Sequence, residues 1–187
     1  QIIKCARHEI PVFGICGGYQ MLRNVIYDSC NGENGEGISG MGLLPVTTTF
    51  TLSKHRTRAR GIICSQSGMW EMLGEKKCAG YEIHMGESTV NEGQAHAFAK
   101  IYNTVDGTEY MDGCVCGNVA GTYLHGIFDE KEFCDSFINM LGKRCGIATH
   151  GGSDMSFEEY KQREYDKLAD AIRENMDMKY IYEIMGL

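Results

Sequence analysis

The chain has 187 residues, of which 43% are apolar, and a formal net charge of −7. This length and apolar content suffice for one domain with a core, while the acidic balance argues against nucleic-acid binding, which needs basic side chains to neutralise phosphates. No apolar stretch is long enough to span a bilayer and no signal peptide is visible, so we expect a cytoplasmic protein without a membrane partner.

The nine cysteines are odd in number and irregularly spaced, and no Cys-x-x-Cys pair occurs among them. Disulfide frameworks and zinc sites need regular pairs, so these residues are predicted to be reduced thiols in a reducing cytoplasm. No metal ion is expected in this domain on that basis.

The first nine residues have the pattern of a helix tail, and the chain begins with Gln1 and not with Met. We therefore expect an N-terminally truncated domain whose first strands lie upstream of this sequence. Residues 12–15 form a short apolar run typical of a strand buried on both faces. This run enters Cys16-Gly17-Gly18, and a helical pattern follows at residues 19–26.

Further along the chain, a glycine-rich loop is predicted at residues 31–42, and a basic run at 54–60 is predicted to be a solvated loop or an edge strand. Helices are predicted at 131–141 and from Ser156 onward, because Asp129 with Glu132 and Ser156 with Glu159 form capping-box patterns. Strands are predicted at 43–52, 58–64, 80–85, 97–102 and 115–124. Strands mixed with helices indicate an α/β fold with an open, mostly parallel sheet flanked by helices.

The segment Gly14-Ile15-Cys16-Gly17-Gly18 has the form Gly-x-nucleophile-x-Gly. A strand that turns sharply into a helix holds its central residue in a strained backbone, and small neighbours avoid clashes there. The start of the helix favours a thiolate, and the N–H of Gly17 would face a developing oxyanion. The alternative is a structural cysteine in an ordinary strand-to-helix turn.

A thiol nucleophile needs a base, and histidine is the usual one. His125 is favoured because it stands at the end of a predicted strand, where a sheet presents catalytic groups; His84 is the second candidate. The other four histidines lie among polar or loop residues and are expected to be exposed: His8, His55, His96 and His150.

At these positions the sequence resembles the triad-type (class I) glutamine amidotransferases and, among them, the cobyric acid synthase family. The two most specific matching segments are GYEIHMG and GTYLHGIFD, and the resemblance covers nearly the whole chain. The matching ranges are Pro11–Leu22, Gly42–Phe50, Gly80–Gly86, Gly121–Asp129 and Tyr165–Leu187.

The resemblance implies a flavodoxin-like glutaminase domain with Cys16 as nucleophile, His125 as base, Gly17 in the oxyanion hole, and Gln20 and His84 in the glutamine pocket. It implies no cofactor in this domain. A synthetase domain of the same polypeptide, absent from this chain, would use ATP and Mg to amidate a corrinoid, adenosylcobyrinic acid a,c-diamide, in cobalamin biosynthesis. The isolated fragment is expected to be weak or inactive, because the family's second oxyanion loop lies upstream.

One position departs from the wider class, in which a Glu two residues after the histidine orients its ring. That position is Ile127 here, and Asp129 and Glu82 are the nearby acids by motif. Four alternatives to the family assignment are a glutaminase subunit of a peptidoglycan-precursor amidating enzyme, a cobyrinic acid a,c-diamide synthase, a cysteine hydrolase acting on other amides, and a non-catalytic partner-binding domain.

Overall fold

The structure is a computed structural model that describes residues 1–28, 37–91, 93, 95–149 and 155–187. These residues form two compact units, residues 1–150 and 151–187. In chain order the first unit contains α1 (Ile2–Arg7), β1 (Val12–Ile15), α2 (Gly17–Met21), β2 (Arg23–Tyr27), β3 (Ile38–Ser39), β4 (Leu44–Ile63), β5 (Lys77–Val90), β6 (Ala99–Asn103), β7 (Glu109–Asp112), β8 (Cys114–Cys116), β9 (Val119–Thr122) and α3 (Lys131–Cys145).

The strands form two mixed sheets, one with the order β1-β9-β8 and one with the order β3-β2-β4-β6-β7, in which β5 also pairs with β4. Helices and strands together confirm the α/β class. Parallel pairing among the described strands is restricted to β1 with β9 and β2 with β4. The sheets are thus mixed and not mostly parallel, because the β4–β5, β4–β6 and β6–β7 pairs are antiparallel.

Strand β4 corrects two expectations. The predicted strands at 43–52 and 58–64 are one continuous strand, which pairs with β5 except for a register shift between Thr49 and Lys54. The basic run at 54–60 lies inside β4, and its last residues also pair with β6, so this segment is neither a loop nor an edge strand. Successive side chains of a strand point to opposite faces, which explains why basic residues alternate with small ones here. Arg56, Arg58 and Arg60 are exposed, while Thr57 and Ala59 are buried.

The predicted helix at 19–26 ends at Met21, and β2 follows immediately. Val25 and Ile26 are β-branched and pair with Thr47 and Thr48 of β4, so sheet pairing prevails over the helical spacing. The predicted strand at 115–124 is interrupted by a turn in which Gly117 has φ +57°. Of the glycine-rich loop at 31–42, residues 31–36 lie outside the described residues.

Helix α3 begins after Glu130, and no side chain caps it, so the predicted Asp129–Glu132 capping box is wrong. The second unit contains α4 (Phe157–Asn175) and α5 (Met178–Met185). The capping box that was predicted at the start of α4 is confirmed, because the Ser156 hydroxyl accepts from Glu159 N–H and the Glu159 carboxylate accepts from Ser156 N–H. None of the described helices is long and apolar enough to cross a membrane.

Helix α2 lies directly on the β1–β9 pair. A Cβ atom on Gly14 would stand 2.8 Å from the backbone N of Tyr19, and one on Gly121 would stand 2.4 Å from the Tyr19 ring. Tyr19 is buried in a cluster with Leu44 and Val46 of β4. The absence of side chains at Gly14 and Gly121 therefore allows this close approach, which fixes the start of α2 beside the carboxyl ends of β1 and β9.

Candidate active site

Cys16 stands between the end of β1 and the start of α2. Its backbone has φ +50° and ψ −112°, and its N–H donates to Thr122 O at 2.9 Å. A non-glycine residue at positive φ is uncommon, and such strain is concentrated at functional sites. The strained turn predicted from Gly-x-Cys-x-Gly is therefore present at Cys16.

The two glycines after Cys16 have open space where a side chain would stand. A Cβ atom on Gly17 or Gly18 would meet no described atom within 4 Å, and both residues are exposed. Packing within the described residues thus explains why residue 14 is a glycine, but it does not explain the glycines at positions 17 and 18. The open side next to the thiol leaves room for a substrate.

Burial raises the pKa of the Cys16 thiol, and the nearby Glu82 carboxylate raises it further. The Gly17 N–H and the Arg23 guanidinium act in the opposite direction but do not compensate. The expectation that the helix start favours a thiolate is thus corrected: α2 has five residues, and desolvation outweighs its effect. The Sγ–H group donates to Ile83 O at 3.7 Å. A protonated thiol at neutral pH needs a base before it can act as a nucleophile.

His125 is held three residues beyond the end of β9 by a backbone bridge to Tyr81. His125 N–H donates to Tyr81 O at 2.8 Å, and Tyr81 N–H donates to His125 O at 3.1 Å. The two rings stack with centroids 4.9 Å apart and an interplanar angle of 4°. His125 Nε2 is buried and has no hydrogen-bond partner among the described residues. The ring is therefore fixed in orientation while one nitrogen stays available.

The segment 80–85 of β5 contacts both predicted catalytic residues. The Ile83 carbonyl of this segment accepts a hydrogen bond from the Cys16 thiol, and the Tyr81 backbone is hydrogen-bonded to that of His125. The parallel register places Ile15 opposite Thr122, so Cys16 and His125 follow neighbouring strands at the same edge of the sheet. The structure thus brings the predicted nucleophile and the predicted base to one segment.

Tyr123 connects the two residues that were predicted to bind glutamine. The His84 ring stacks on the Tyr123 ring at 3.7 Å with an interplanar angle of 10°, and Gln20 Nε2 donates to the Tyr123 hydroxyl at 3.4 Å. His84 and Tyr123 line a cavity of about 440 Å³, whose wall also includes Tyr19 and Ser88. Gln20 and His84 therefore both contact Tyr123.

Glu82 is the most deeply buried acid beside these residues, with 1% of its surface exposed. Its Oε2 accepts from the Tyr110 hydroxyl at 2.8 Å and lies 3.1 Å from His55 Nε2 and 3.6 Å from His84 Nε2. His55, expected to be exposed, is half-buried because β4 turns it toward Glu82. Of the two acids that lie near His125 by motif, Glu82 thus contacts other histidines and not Nε2 of His125. His8 and His96 are exposed as predicted, and His150 lies outside the described residues.

Arg23 and Asp112 are two buried charged residues that the sequence patterns did not single out. The Arg23 guanidinium lies over the Tyr19 and Tyr123 rings, 3.9 and 4.7 Å from their centroids, and Nη1 donates to Ser88 Oγ at 2.7 Å. The Asp112 carboxylate accepts from Thr122 Oγ1 and from the N–H of Tyr123, which fixes the end of β9. Burial, reinforced by the Glu82 charge, raises the pKa of Asp112 to about 6.

Comparison with known proteins identifies the family to which the chain is similar. Residues 1–133 match the model of the CobB/CobQ-like glutamine amidotransferase domain. The chain is 41% identical to a cobyric acid synthase of Lachnoclostridium phytofermentans, a match that covers 98% of this chain and 37% of that protein. It is 42% identical to the cobyric acid synthase of Alkaliphilus metalliredigens, over 99% of this chain and 38% of that protein.

The chain thus spans a little over a third of the length of these relatives. Among solved structures, a glutamine amidotransferase from Thermotoga maritima is similar over 77% of this chain and 54% of that one, with 17% identity and a TM-score of 0.41, too weak a likeness to add to the argument. The family match covers more than two thirds of the 187 residues and confirms the resemblance carried by Pro11–Leu22, Gly80–Gly86 and Gly121–Asp129. The chain belongs to the family of CobB/CobQ-like glutamine amidotransferase domains.

Proposed function

We propose that this chain is the glutaminase domain of a cobyric acid synthase and that it releases ammonia from glutamine through a thioester on Cys16. The observation that carries the proposal is the strained Cys16 turn, whose thiol contacts the same β5 segment that holds His125. Cobyric acid synthases of two bacteria, each about 40% identical over nearly the whole chain, support the choice within the family.

In the first half of the reaction, His125 accepts the thiol proton while Cys16 Sγ attacks the side-chain carboxamide carbon of glutamine. The raised pKa of the thiol makes this proton transfer necessary. The N–H of Gly17, next to the sulfur, would donate to the oxyanion of the tetrahedral intermediate. The carbon–nitrogen bond then breaks as His125 returns the proton to the leaving nitrogen, which gives ammonia and a glutamyl thioester.

In the second half, His125 accepts a proton from water, whose oxygen attacks the thioester carbon. The carbon–sulfur bond breaks, glutamate leaves, and the thiol is restored with the proton from His125. Orientation by the stacked Tyr81 ring keeps the imidazole in place through both halves. Gln20 and His84, joined through Tyr123, would line the pocket for the glutamine substrate.

The fate of the ammonia belongs to the same proposal. A synthetase domain of the same polypeptide would use ATP and Mg to activate carboxylates of adenosylcobyrinic acid a,c-diamide, and the ammonia would form the amides. A cytoplasmic location fits this chemistry. This chain matches just over a third of the length of its relatives, so the rest of each relative is long enough to contain such a domain.

The test is glutamate release from glutamine by the full-length protein. Cys16→Ser and His125→Asn should each lower the rate by a factor of roughly 1,000 or more, as losses of a nucleophile or its base do. Cys145→Ser, which changes an exposed cysteine, is the matched control and should keep the parent rate. Glutaminase activity that survives Cys16→Ser would overturn the assignment.

The substrate of the amidation is tested separately. Ammonia from glutamine should reach a corrinoid a,c-diamide in the presence of ATP and Mg, and the product should gain amide groups detectable by mass. Transfer to a peptidoglycan precursor instead would favour the peptidoglycan-amidating alternative. Full glutaminase activity with neither acceptor would favour a free-standing amide hydrolase.

A further inference from the structure

We propose that His55, Glu82 and His84 form a binding site for a divalent transition-metal ion, with zinc as the best-fitting probe. Their ligand atoms, one from each side chain, all lie within 4.8 Å of one another. The site involves two histidines and one carboxylate, a ligand set that zinc and similar ions bind. No sequence pattern pointed to this site, because the cysteine spacing excludes only zinc sites built on cysteine pairs.

Strand pairing creates the cluster. His55 of β4 and His84 of β5 are direct partners in the antiparallel ladder, and Glu82 lies two residues before His84. Directly paired residues and residues two apart on one strand share a face of the sheet. The three side chains therefore converge on that face because of the register, although His55 and Glu82 are 27 positions apart in the sequence.

The two distances from Glu82 are compatible with shared coordination of one ion. Tetrahedral ligands about 2.0–2.1 Å from zinc stand roughly 3.3 Å from one another. Glu82 Oε2 lies 3.1 Å from His55 Nε2 and 3.6 Å from His84 Nε2, on either side of that value. Despite the short distance, His55 Nε2 makes no hydrogen bond among the described residues, so its ring N–H direction misses the oxygen.

The burial of Glu82 favours a cation beside its carboxylate. The carboxylate is 1% exposed, and within the described chain its Oε1 has no hydrogen-bond partner. A buried carboxylate is stable when it is paired or coordinates a metal. The Tyr110 hydroxyl, which donates to Oε2 at 2.8 Å, would then be the outer partner that orients the ligating carboxylate. The ligands also border the cavity of about 440 Å³, which gives an ion and its remaining water ligand room to enter.

A metal ion at this site would link β4 to β5 directly beside Ile83 of the 80–85 segment. Glu82 and His84 flank Ile83, whose carbonyl contacts the Cys16 thiol. The ion would thus hold the wall of the active site in place, as a structural metal does, while the reaction itself takes place at Cys16.

The test is metal binding by the full-length protein after chelation and dialysis. We expect one equivalent of Zn²⁺ by calorimetry, and one equivalent of Co²⁺ with the visible absorption of a tetrahedral nitrogen–oxygen site. His55→Ala should weaken binding at least roughly 100-fold, because loss of an outer partner alone costs 10–100-fold. Its side chain is 39% exposed, so this variant should fold; Glu82→Gln is the second variant.

Two control variants separate this site from adventitious binding. His8→Ala removes an exposed histidine of α1's end, and Cys145→Ser removes an exposed thiol; neither should change the affinity. Equal affinity in the parent and in folded His55→Ala, or loss of binding in Cys145→Ser, would overturn the proposal, as would the absence of binding in the parent. Cys16→Ser should bind metal normally, so a failure of the proposed glutaminase function would not be confused with a failure here.

Discussion

Replacement of Asp112 by Asn should remove most of one pH-dependent step in the stability of the first unit. The pKa of this carboxyl is raised from 3.8 to about 6 by burial and by the Glu82 charge. The folded state therefore holds the proton more tightly than the unfolded state. This contribution to stability is fully present only below the unfolded pKa of 3.8, and it is lost as the pH rises through about 6, because the folded state must then bury a charge.

The size of the step follows from the two pKa values. A rise from 3.8 to about 6 corresponds to about 3 kcal/mol at about 1.4 kcal/mol per pH unit, of which about 2.5 kcal/mol falls between pH 4 and pH 7. Asn keeps an oxygen that can accept from Thr122 Oγ1 and Tyr123 N–H but carries no charge. The free energy of unfolding of Asp112→Asn should therefore decline less between pH 4 and pH 7 than that of the parent, by about 2.5 kcal/mol.

Urea unfolding followed by Trp70 fluorescence measures this difference, since Trp70 is the single tryptophan and is fully buried in the first unit. Comparing the two pH values within each protein cancels the cost of the amide group itself. Asp106→Asn is the opposite control: hydrogen bonds from Thr108 lower the pKa of that exposed carboxyl, so its loss should destabilise the protein more at pH 7 than at pH 4. A parent and an Asp112→Asn variant with the same pH dependence, within about 0.5 kcal/mol, would refute the reasoning.

Two further predictions concern the surroundings of the catalytic pair. Gly80→Ala would place a Cβ atom 1.9 Å from His125 O, so the backbone bridge between His125 and Tyr81 must open. Glutaminase activity should then drop at least roughly tenfold. An unchanged rate would contradict the role of this bridge. Arg23→Met should raise the pKa of the Cys16 thiol further, because the guanidinium lowers it. The pH dependence of Cys16 alkylation measures this pKa. An unchanged or lower midpoint of that pH dependence would disprove the influence of Arg23.

The sequence alone allows Cys16 and His125 to be proposed as the nucleophile and its base, because both residues belong to local patterns. Gly14 and Cys16 mark a strand that turns into a helix, and His125 follows a strand whose register with β1 is parallel. Local patterns depend on neighbours along the chain, so they can be recognised without knowing which strands pair. The same reason makes the capping box at Ser156 predictable.

The parts that were missed depend on pairing between distant segments. Val25 and Ile26 fit a helical spacing, and only the neighbouring β4 turns them into a strand. The inward direction of His55 follows from the register shift between Thr49 and Lys54, which no single segment of sequence reveals. The burial of Arg23 likewise depends on Tyr19 and Tyr123, which lie on two different elements. Side-chain direction in a strand is set by the partner strand, and a shift of one residue reverses it.

The alternation along residues 81–84 explains why this short segment serves two purposes. Side chains two apart on a strand share a face, so Glu82 and His84 point to the buried cluster with His55. Tyr81 stacks on His125 instead, and the Ile83 carbonyl receives the Cys16 thiol. Residues on the cluster face and residues that contact Cys16 and His125 therefore alternate along one short stretch of backbone.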